Sequence, residues 1–220
     1  MEEIDRPLGI VEVWWETEPG KARVMLSIIR RVGKAWWEFP GGRSVSTDNG
    51  VEFDPDLEAL QEIFEETGLT IPDTAERINI PLIPYFTKGD FTVADSQKKR
   101  IINSIPMLYR YAVKELPEIK LNAQGNIEAD DFRWIDVTSL YGSEFRDIYM
   151  LLNVIKNQTT TNLSIDPVNP KINLLKVNLE TDNVEQFTFS DITRKALGLY
   201  AFWVMGNVPT QAEFCGLTVE

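Results

Sequence analysis

The chain has 220 residues, 34 acidic against 22 basic side chains, a net charge of -12, no histidine and a single cysteine. Because histidine is the commonest general base and the usual zinc ligand, acid–base or metal chemistry must fall mainly to carboxylates. A surface this acidic repels polyanions, which makes long nucleic acid an unlikely partner. One cysteine, Cys215, can form neither an internal disulfide nor a zinc cage.

The N-terminus and the apolar segments predict neither export nor membrane insertion. The first residues, MEEIDRPLG, lack the basic and apolar regions of a signal peptide. The longest apolar stretch, residues 196–206, is too short to span a bilayer. We therefore expect a cytoplasmic protein with no membrane partner.

The N-terminal quarter of the chain predicts extended segments followed by a loop. Residues 9–16 and 22–31 are typical of strands, and the proline and glycine of the intervening ETEPGK predict a turn. Residues 33–39, GKAWWEF, indicate a third short extended run. Residues 41–53 are polar and rich in turn formers, so we expect a loop there.

Residues 54–69, DPDLEALQEIFEETGL, predict one helix with clear ends. Asp54 suits the N-cap, Pro55 suits the first helical position and Gly68 is a typical C-terminal stop. The acidic residues of the first turns lie where the helix dipole favours negative charge.

The rest of the chain predicts further strands and two more helices. We expect extended segments at residues 78–87, 104–114 and 131–137, and a helix at residues 143–156. A linker is expected at residues 157–170, a β-hairpin at residues 172–190 and a final helix at residues 191–205. The linker divides the chain into a main domain, residues 1–156, and a C-terminal extension, residues 157–220.

Glutamates line one face of the predicted helix. At about 100° per residue, one arc carries Glu58, Glu62, Glu65 and Glu66. The opposite, largely apolar side is expected to bury against a sheet and carries Leu57, Leu60, Ile63, Phe64 and Thr67. Like charges four residues apart cost about 0.2–0.5 kcal/mol per pair. Bound Mg²⁺ or Mn²⁺ would remove that repulsion, because these hard cations take oxygen ligands. The alternative is a solvated acidic face.

The helix and the preceding Pro40-Gly41-Gly42 together resemble the signature of the Nudix hydrolase superfamily, G-x5-E-x7-R-E-U-x-E-E-x-G-U, where U is apolar. The positions in register are Glu62, Ile63, Glu65, Glu66, Gly68 and Leu69. Gln61 stands where the signature has arginine, and the loop after Gly42 is five residues longer than the signature allows. Asp48 and Glu52 lie nearest to its first glutamate.

The resemblance implies a Nudix-type α/β/α sandwich with a mixed sheet, here followed by a hairpin and a helix, and it implies a metal site. The implied Mg²⁺ or Mn²⁺ ligands are the carbonyl of Gly41, the carboxylates of Glu62, Glu65 and Glu66, and a later one, with Glu128 first and Asp131 second. The catalytic residues that the resemblance implies are Glu62, Glu66 and Glu128, of which Glu62 would bind metal or act as general base. The implied reaction cleaves the pyrophosphate of a nucleoside diphosphate linked to another group, such as ADP-ribose or a nucleotide sugar.

Several residues are candidates for holding this small anionic substrate. Arg30, Arg31 or Arg43 would contact phosphate, with surface charge as the alternative. Trp37 would stack on a base or pack in the core. Tyr85 follows Pro84. In related families a tyrosine near this position accompanies dinucleoside polyphosphate substrates, and a proline accompanies ADP-ribose-type substrates. The pair therefore does not decide between the two substrate classes.

Alternative functions follow from the same residues. The long loop and Gln61 favour a Nudix-like nucleotide-binding or regulatory module without hydrolysis. Hydrolysis of an RNA cap is disfavoured by the net charge of -12, and the basic run Lys98-Lys99-Arg100 is explained equally well by a solvated loop. A homodimer is included among the expected partners.

Overall fold

The computed structural model describes residues 2–42, 53–82, 86–141, 162–163, 187–206 and 213–219. The longer elements are β1 (Glu2–Glu18), β2 (Lys21–Arg31), α1 (Pro55–Thr67), β6 (Arg100–Val113), β7 (Ala129–Asp136) and α2 (Asp191–Gly206). The shorter strands are β3 (Trp37–Glu38), β4 (Glu76–Asn79), β5 (Thr92–Asp95), β8 (Asn162–Leu163), β9 (Phe187–Thr188), β10 (Glu213–Phe214) and β11 (Leu217–Val219). Two 3-10 turns span Lys88–Phe91 and Thr138–Tyr141.

The described strands, apart from β8 and β9, form one mixed sheet in the order β10-β11-β2-β1-β6-β4. β1 pairs antiparallel with β2 and parallel with β6. β3 and β7 add to β2, and β5 adds to β6. Because β2 pairs with several strands along its length, its C-terminal end lies beside both β3 and β7, and this is where the candidate site forms.

Alternate residues of β1 point to opposite faces of the sheet and contact different helices. Leu8, Ile10 and Trp14 lie in one hydrophobic cluster, which also contains the buried side chains of α2. Val11 and Val13 lie in a second cluster with the buried side chains of α1. The sheet therefore lies between the two helices, and the expected α/β class with a mixed sheet is confirmed.

The ends of α1 follow the predicted signals. The Asp54 carboxylate accepts hydrogen bonds from the backbone N–H groups of Asp56 and Leu57, and Pro55 begins the helix. Gly68 ends it in a left-handed conformation with φ 71°, where its N–H donates to the carbonyl of Phe64. Glycine adopts this conformation without the steric cost that a Cβ brings.

The buried side of α1 differs from the prediction. Leu57 is 61% exposed and Phe64 is 41% exposed, so the expectation that they bury against the sheet is wrong. The buried side chains are Ala59, Ile63, Glu66 and Thr67. Glu66 turns inward and accepts a backbone hydrogen bond from Gly41, a contact that hydrophobic periodicity does not predict.

The C-terminal segments are described only in part. The predicted helix at residues 143–156 and most of the predicted hairpin at residues 172–190 lie outside the described residues. The final helix is present as α2, and its buried side chains share a core with the sheet. β8 lies in the segment predicted as a linker and pairs with β9. The division of the chain at residue 156 stays a prediction.

A second, unpredicted hairpin closes the described chain. β10 and β11 pair antiparallel, and β11 extends the sheet by pairing with β2. Cys215 and Gly216 connect them, both with positive φ, as a tight two-residue hairpin turn requires. In the described part of the chain, no helix is both long enough and apolar enough to cross a membrane.

Candidate functional site

The Pro40-Gly41-Gly42 loop is held between β1 and α1. The carbonyl of Pro40 accepts a hydrogen bond of 2.7 Å from the N–H of Gly9, and the N–H of Gly41 donates at 2.9 Å to Glu66 Oε2. A Cβ on Gly42 would lie 1.5 Å from Glu62 Oε1, so the Glu62 carboxylate lies directly against this residue. The loop and the helix therefore bring two of the predicted glutamates to one place.

Glu66 is the most deeply buried acid of α1, with a relative exposure of 1%. Burial raises the pKa of its carboxyl to about 8, while Arg31 and the Gly41 N–H act in the opposite direction. Its second oxygen, Oε1, lies 2.5 Å from Arg31 Nη2. No N–H group is aligned on that oxygen as a hydrogen bond. One carboxylate oxygen in the interior thus has a positive neighbour but no hydrogen-bond donor.

Glu62 and Glu65 lie further out on the same helix. Burial raises the pKa of Glu62 to about 7, and the negative charge of Glu65 adds to the rise. Glu65 Oε1 accepts a hydrogen bond of 2.6 Å from Gln61 Nε2. Gln61, at the position of the signature's arginine, therefore binds Glu65.

Arg31, at the end of β2, lies among the predicted ligands. Its Nη1 donates to Glu128 Oε2 at 3.0 Å and its Nε donates to Glu38 Oε2 at 3.2 Å. Its Nη2 donates to the carbonyl of Gly41 and lies beside Glu66 Oε1. The sequence predicted Arg31 only as a phosphate contact or a surface charge, because sequence spacing does not reveal a pairing between β2, the loop and α1.

A second guanidinium group supports this arrangement from β1. Arg6 Nη2 donates to the carbonyl of Gly41 at 3.2 Å and to Glu38 Oε2 at 3.3 Å. The other oxygen of Glu38 accepts from Trp36 Nε1 at 2.8 Å. Glu38 therefore has partners besides Arg31. Neither Arg6 nor Glu38 was identified from the sequence. The sequence signal for Glu38 was a single acidic residue between the aromatic residues Trp37 and Phe39.

Glu128 reaches the site on a loop that is attached to the end of α1. The N–H groups of Lys120, Asn122 and Ala123 donate to the last carbonyls of the helix. The Asn122 side chain accepts from the N–H groups of Glu128 and Ala129, at 2.8 and 2.9 Å, and donates to the Ala129 carbonyl. Asn122, which was also not identified from the sequence, thus holds the backbone that carries Glu128.

Asn122→Ala is expected to lower the free energy of unfolding by about 2 kcal/mol, since hydrogen bonds to two N–H groups and one carbonyl are lost. Asn122 has φ 58°, a conformation that asparagine tolerates better than alanine does. Chemical denaturation measures the loss, and Asn122→Gly is the matched control because it removes the same side chain without the backbone strain. An alanine variant as stable as the unmodified chain would contradict this role.

Comparison with known proteins gives structural matches only. No protein-family model matches the sequence, and no curated protein matches it. A MutT/nudix family protein from Enterococcus faecalis matches with 14% identity and a TM-score of 0.43, over 62% of this chain and 44% of that one. This chain therefore spans less than half the length of that protein.

Other solved structures overlap over similar lengths. The Nudix domain of Shewanella oneidensis NrtR, complexed with ADP ribose, matches with 13% identity and a TM-score of 0.38, over 61% of this chain and 73% of that one. A C. elegans Ap4A hydrolase in a binary complex matches with 14% identity and a TM-score of 0.35, over 68% and 93%.

The mixed sheet between α1 and α2 is an α/β arrangement. Identities and TM-scores this low carry neither family, substrate nor activity over to this chain.

The donors of this candidate site fit a divalent metal in their chemistry. The Gly41 carbonyl and the carboxylates of Glu62, Glu66 and Glu128 are oxygen ligands, which Mg²⁺ and Mn²⁺ prefer. Glu66 Oε1, buried without a hydrogen-bond donor, is an oxygen that such an ion would satisfy. Within the described ranges, however, no three acidic, histidine or cysteine side chains converge closely enough to hold a metal. Arg31 lies among the donors instead.

The predicted substrate contacts Arg30 and Trp37 lie together on the sheet. Arg30 donates to Asp130 at 2.7 Å, and its guanidinium lies 5.7 Å from the Trp37 ring centroid. Arg133 approaches the same ring to 5.5 Å, and Trp37 is only 8% exposed. Asp131, the second choice for a metal ligand, pairs with Arg133 and Arg30. These contacts indicate packing for Trp37, and the substrate roles stay predictions.

The other predicted contacts lie outside the described residues. Arg43 belongs to the loop of residues 43–52, which also contains Asp48 and Glu52, and Tyr85 belongs to residues 83–85. Their roles stay predictions.

Proposed function

We propose that this chain is a metal-dependent hydrolase that cleaves the pyrophosphate bond of a nucleoside diphosphate linked to another group, such as ADP-ribose or a nucleotide sugar. What supports the proposal is that Glu62 and Glu66 lie against the Gly41-Gly42 backbone, with Glu128 joined to the same place through Arg31. A bound Mg²⁺ or Mn²⁺ would neutralise phosphate charge and activate water.

The chain's own residues would position the reacting groups. The Gly41 N–H and the rigid end of α1 orient Glu66. Glu62, half-buried at the edge of the loop, is the candidate general base. The hydrogen bonds of Asn122 fix the backbone at Glu128. Positioned carboxylates can supply both charge and a proton acceptor in a chain that has no histidine.

A substrate screen tests the proposal. The full chain is incubated with ADP-ribose, nucleotide sugars and dinucleoside polyphosphates in the presence of Mg²⁺ or Mn²⁺, and release of nucleoside monophosphate is followed. Product that depends on the metal and disappears with chelator is the expected result. No product from any compound, with the metal present, would contradict the proposal.

A non-hydrolytic nucleotide-binding module is the second candidate, and it is favoured by one observation. Arg31 already neutralises the carboxylates through Glu66 and Glu128, so the site has a cation of its own. Calorimetry on the same compounds separates the two functions. Binding of a nucleotide derivative without any product would favour the module.

Gly42→Ala tests the contact between the loop and Glu62. A Cβ there would meet only the carboxylate end of a flexible side chain, so Glu62 moves while the fold survives. Turnover is expected to fall by about 100-fold, as misplacement of a catalytic group does. Steady-state kinetics and thermal unfolding measure both effects.

Two alanine variants are controls for Gly42→Ala. Gly89→Ala should change neither quantity, since its Cβ would meet only Thr87 Oγ1 at 3.6 Å. Gly41→Ala should destabilise the fold, because its Cβ would lie 2.4 Å from the Pro7 carbonyl oxygen. Full turnover in Gly42→Ala would contradict the role of Glu62.

A further inference from the structure

Arg31, at the end of β2, is surrounded by oxygen acceptors. Its guanidinium contacts the carboxylates of Glu38, Glu66 and Glu128 and the carbonyl of Gly41. All these groups are oxygen acceptors, and its side chain is only 20% exposed. Apart from Glu38, they are also the oxygen donors that a divalent ion would use. The position that a metal would need is therefore held by a guanidinium of the chain itself.

A guanidinium and a divalent ion compete for these oxygens. Both are positive, and their repulsion is strong at the separations that common ligands would impose in a partly buried site. Both also use lone pairs of the same oxygen atoms. Arg31 therefore opposes binding of the ion as long as it stays at Gly41, Glu66 and Glu128.

The contacts around Arg31 are arranged so that it can leave these donors and remain paired. Glu66 Oε1 has no aligned N–H group, since Nη2 donates to the Gly41 carbonyl instead. The Nε group is bound to Glu38, which lies on β3 and is not among the candidate ligands. Because Glu38 is outside the candidate ligands, it stays available as an acceptor for Arg31 when the guanidinium moves away from Gly41, Glu66 and Glu128.

We propose that Arg31 is a built-in counter-cation that competes with a divalent metal ion for the Gly41 carbonyl, Glu66 and Glu128. The proposal rests on the proposed function only for the location of the metal site. Arg31 lowers the affinity of the site for the metal, because the ion must displace a guanidinium that already neutralises the donors.

Mn²⁺ titration of the full chain, followed by electron paramagnetic resonance of the free ion, tests the competition. Arg31→Gln is expected to bind Mn²⁺ about tenfold or more tightly than the unmodified chain, a factor that corresponds to about 1.4 kcal/mol. Arg77→Gln is the matched control, because it removes one positive charge that pairs with Asp56 at the other end of α1. Its Mn²⁺ affinity should equal that of the unmodified chain. Equal or weaker binding by Arg31→Gln, or no binding by either chain, would overturn the proposal.

A second measurement needs no substitution and covers the case in which Arg31→Gln fails to fold. The Nε–H resonance of Arg31 is followed by NMR while Mg²⁺ is added to the unmodified chain. It is expected to shift in step with saturation of the site, whereas the Arg77 resonance stays in place. Saturation that leaves the Arg31 resonance unchanged overturns the proposal.

These outcomes are independent of the hydrolysis assay. Metal-dependent turnover together with an unmoved Arg31 resonance would reject the competition and leave the proposed function standing. Tighter Mn²⁺ binding by Arg31→Gln without turnover on any compound would reject the proposed function and leave the competition standing.

Discussion

Glu66→Gln and Glu62→Gln are each expected to remove most of the turnover while the fold is retained. For Glu62, loss of the proton acceptor should cost about 10²–10⁴-fold in kcat. For Glu66, the substitution removes a carboxyl group that would bind the metal where the helix meets the Gly41 loop. The measurement is the rate of nucleoside monophosphate release at saturating substrate, with thermal unfolding to verify the fold.

The fold should survive Glu66→Gln for a physical reason. The amide keeps the shape of the carboxyl group and an oxygen that can accept from the Gly41 N–H. Burial already raises the pKa of Glu66 to about 8, so replacing a charge that the interior disfavours costs little. Arg31 keeps Glu38 and Glu128 as partners.

Glu58→Gln is the matched control for both variants. Glu58 lies on the same helix but outside the signature, so its amide variant should behave like the unmodified chain. Full turnover in both Glu62→Gln and Glu66→Gln would contradict the proposed site, whereas loss in Glu58→Gln alone would show that the acidic helix acts by general charge.

The limits of α1 and its glutamates were predictable because their signals are local. Asp54, Pro55 and Gly68 determine where the helix begins and ends, and each acts through its own backbone or its nearest neighbours. The predicted strands at residues 22–31, 104–114 and 131–137 overlap β2, β6 and β7. The one at residues 9–16 was too short for β1, which begins at Glu2, and the segment at residues 78–87 overlaps β4 at two residues only. Charged and proline residues at the start of β1 hid the extended structure.

The partners of Arg31, Glu38 and Asn122 could not be predicted, because they depend on which segments meet in space. Arg31 lies seven residues before Glu38 but 97 before Glu128, and no periodicity relates such positions. The buried orientation of Glu66 has the same origin: its partner is a backbone N–H of the Gly41 loop, which lies 25 residues away in the sequence.

The buried carboxylate of Glu12 is the clearest case of this kind. The sequence predicts a strand at GIVEVWWE but gives no role to its central acid. Glu12 is 0% exposed. It accepts hydrogen bonds from four donors: Trp14 Nε1 at 2.7 Å, Arg110 Nε at 2.5 Å, Tyr141 OH at 2.6 Å and Tyr200 OH at 2.6 Å. An acid between buried apolar neighbours in a strand was the available signal.

This network joins α2 to the sheet. Tyr200 belongs to α2, Arg110 to β6 and Tyr141 to the 3-10 turn after β7, and all three meet at a residue of β1. Burial and the nearby Glu12 charge raise the pKa of both tyrosine hydroxyls well above the ordinary value, which keeps them protonated as donors. The Arg110 guanidinium also lies 4.8 Å from the Trp203 ring centroid of α2.

Glu12→Ala is therefore expected to lower the free energy of unfolding by about 3–5 kcal/mol, the range for breaking a buried ion pair by removing one partner. Arg110, almost fully buried, would keep its charge without its principal partner. Urea denaturation followed by tryptophan fluorescence measures the loss. Tyr200→Phe should cost less, about 1.5–3 kcal/mol, because it removes only one hydrogen bond to a charged group.

The control on the same strand is Glu16→Ala. Glu16 accepts from the Gly20 N–H at an exposed turn, so its removal should change stability by about 0.5 kcal/mol or less. If Glu12→Ala were no more harmful than Glu16→Ala, the network would not stabilise the packing of α2 on the sheet. If Tyr200→Phe lowered the free energy of unfolding as much as Glu12→Ala does, most of the stabilisation would come from the contact with α2 and not from the neutralisation of Arg110.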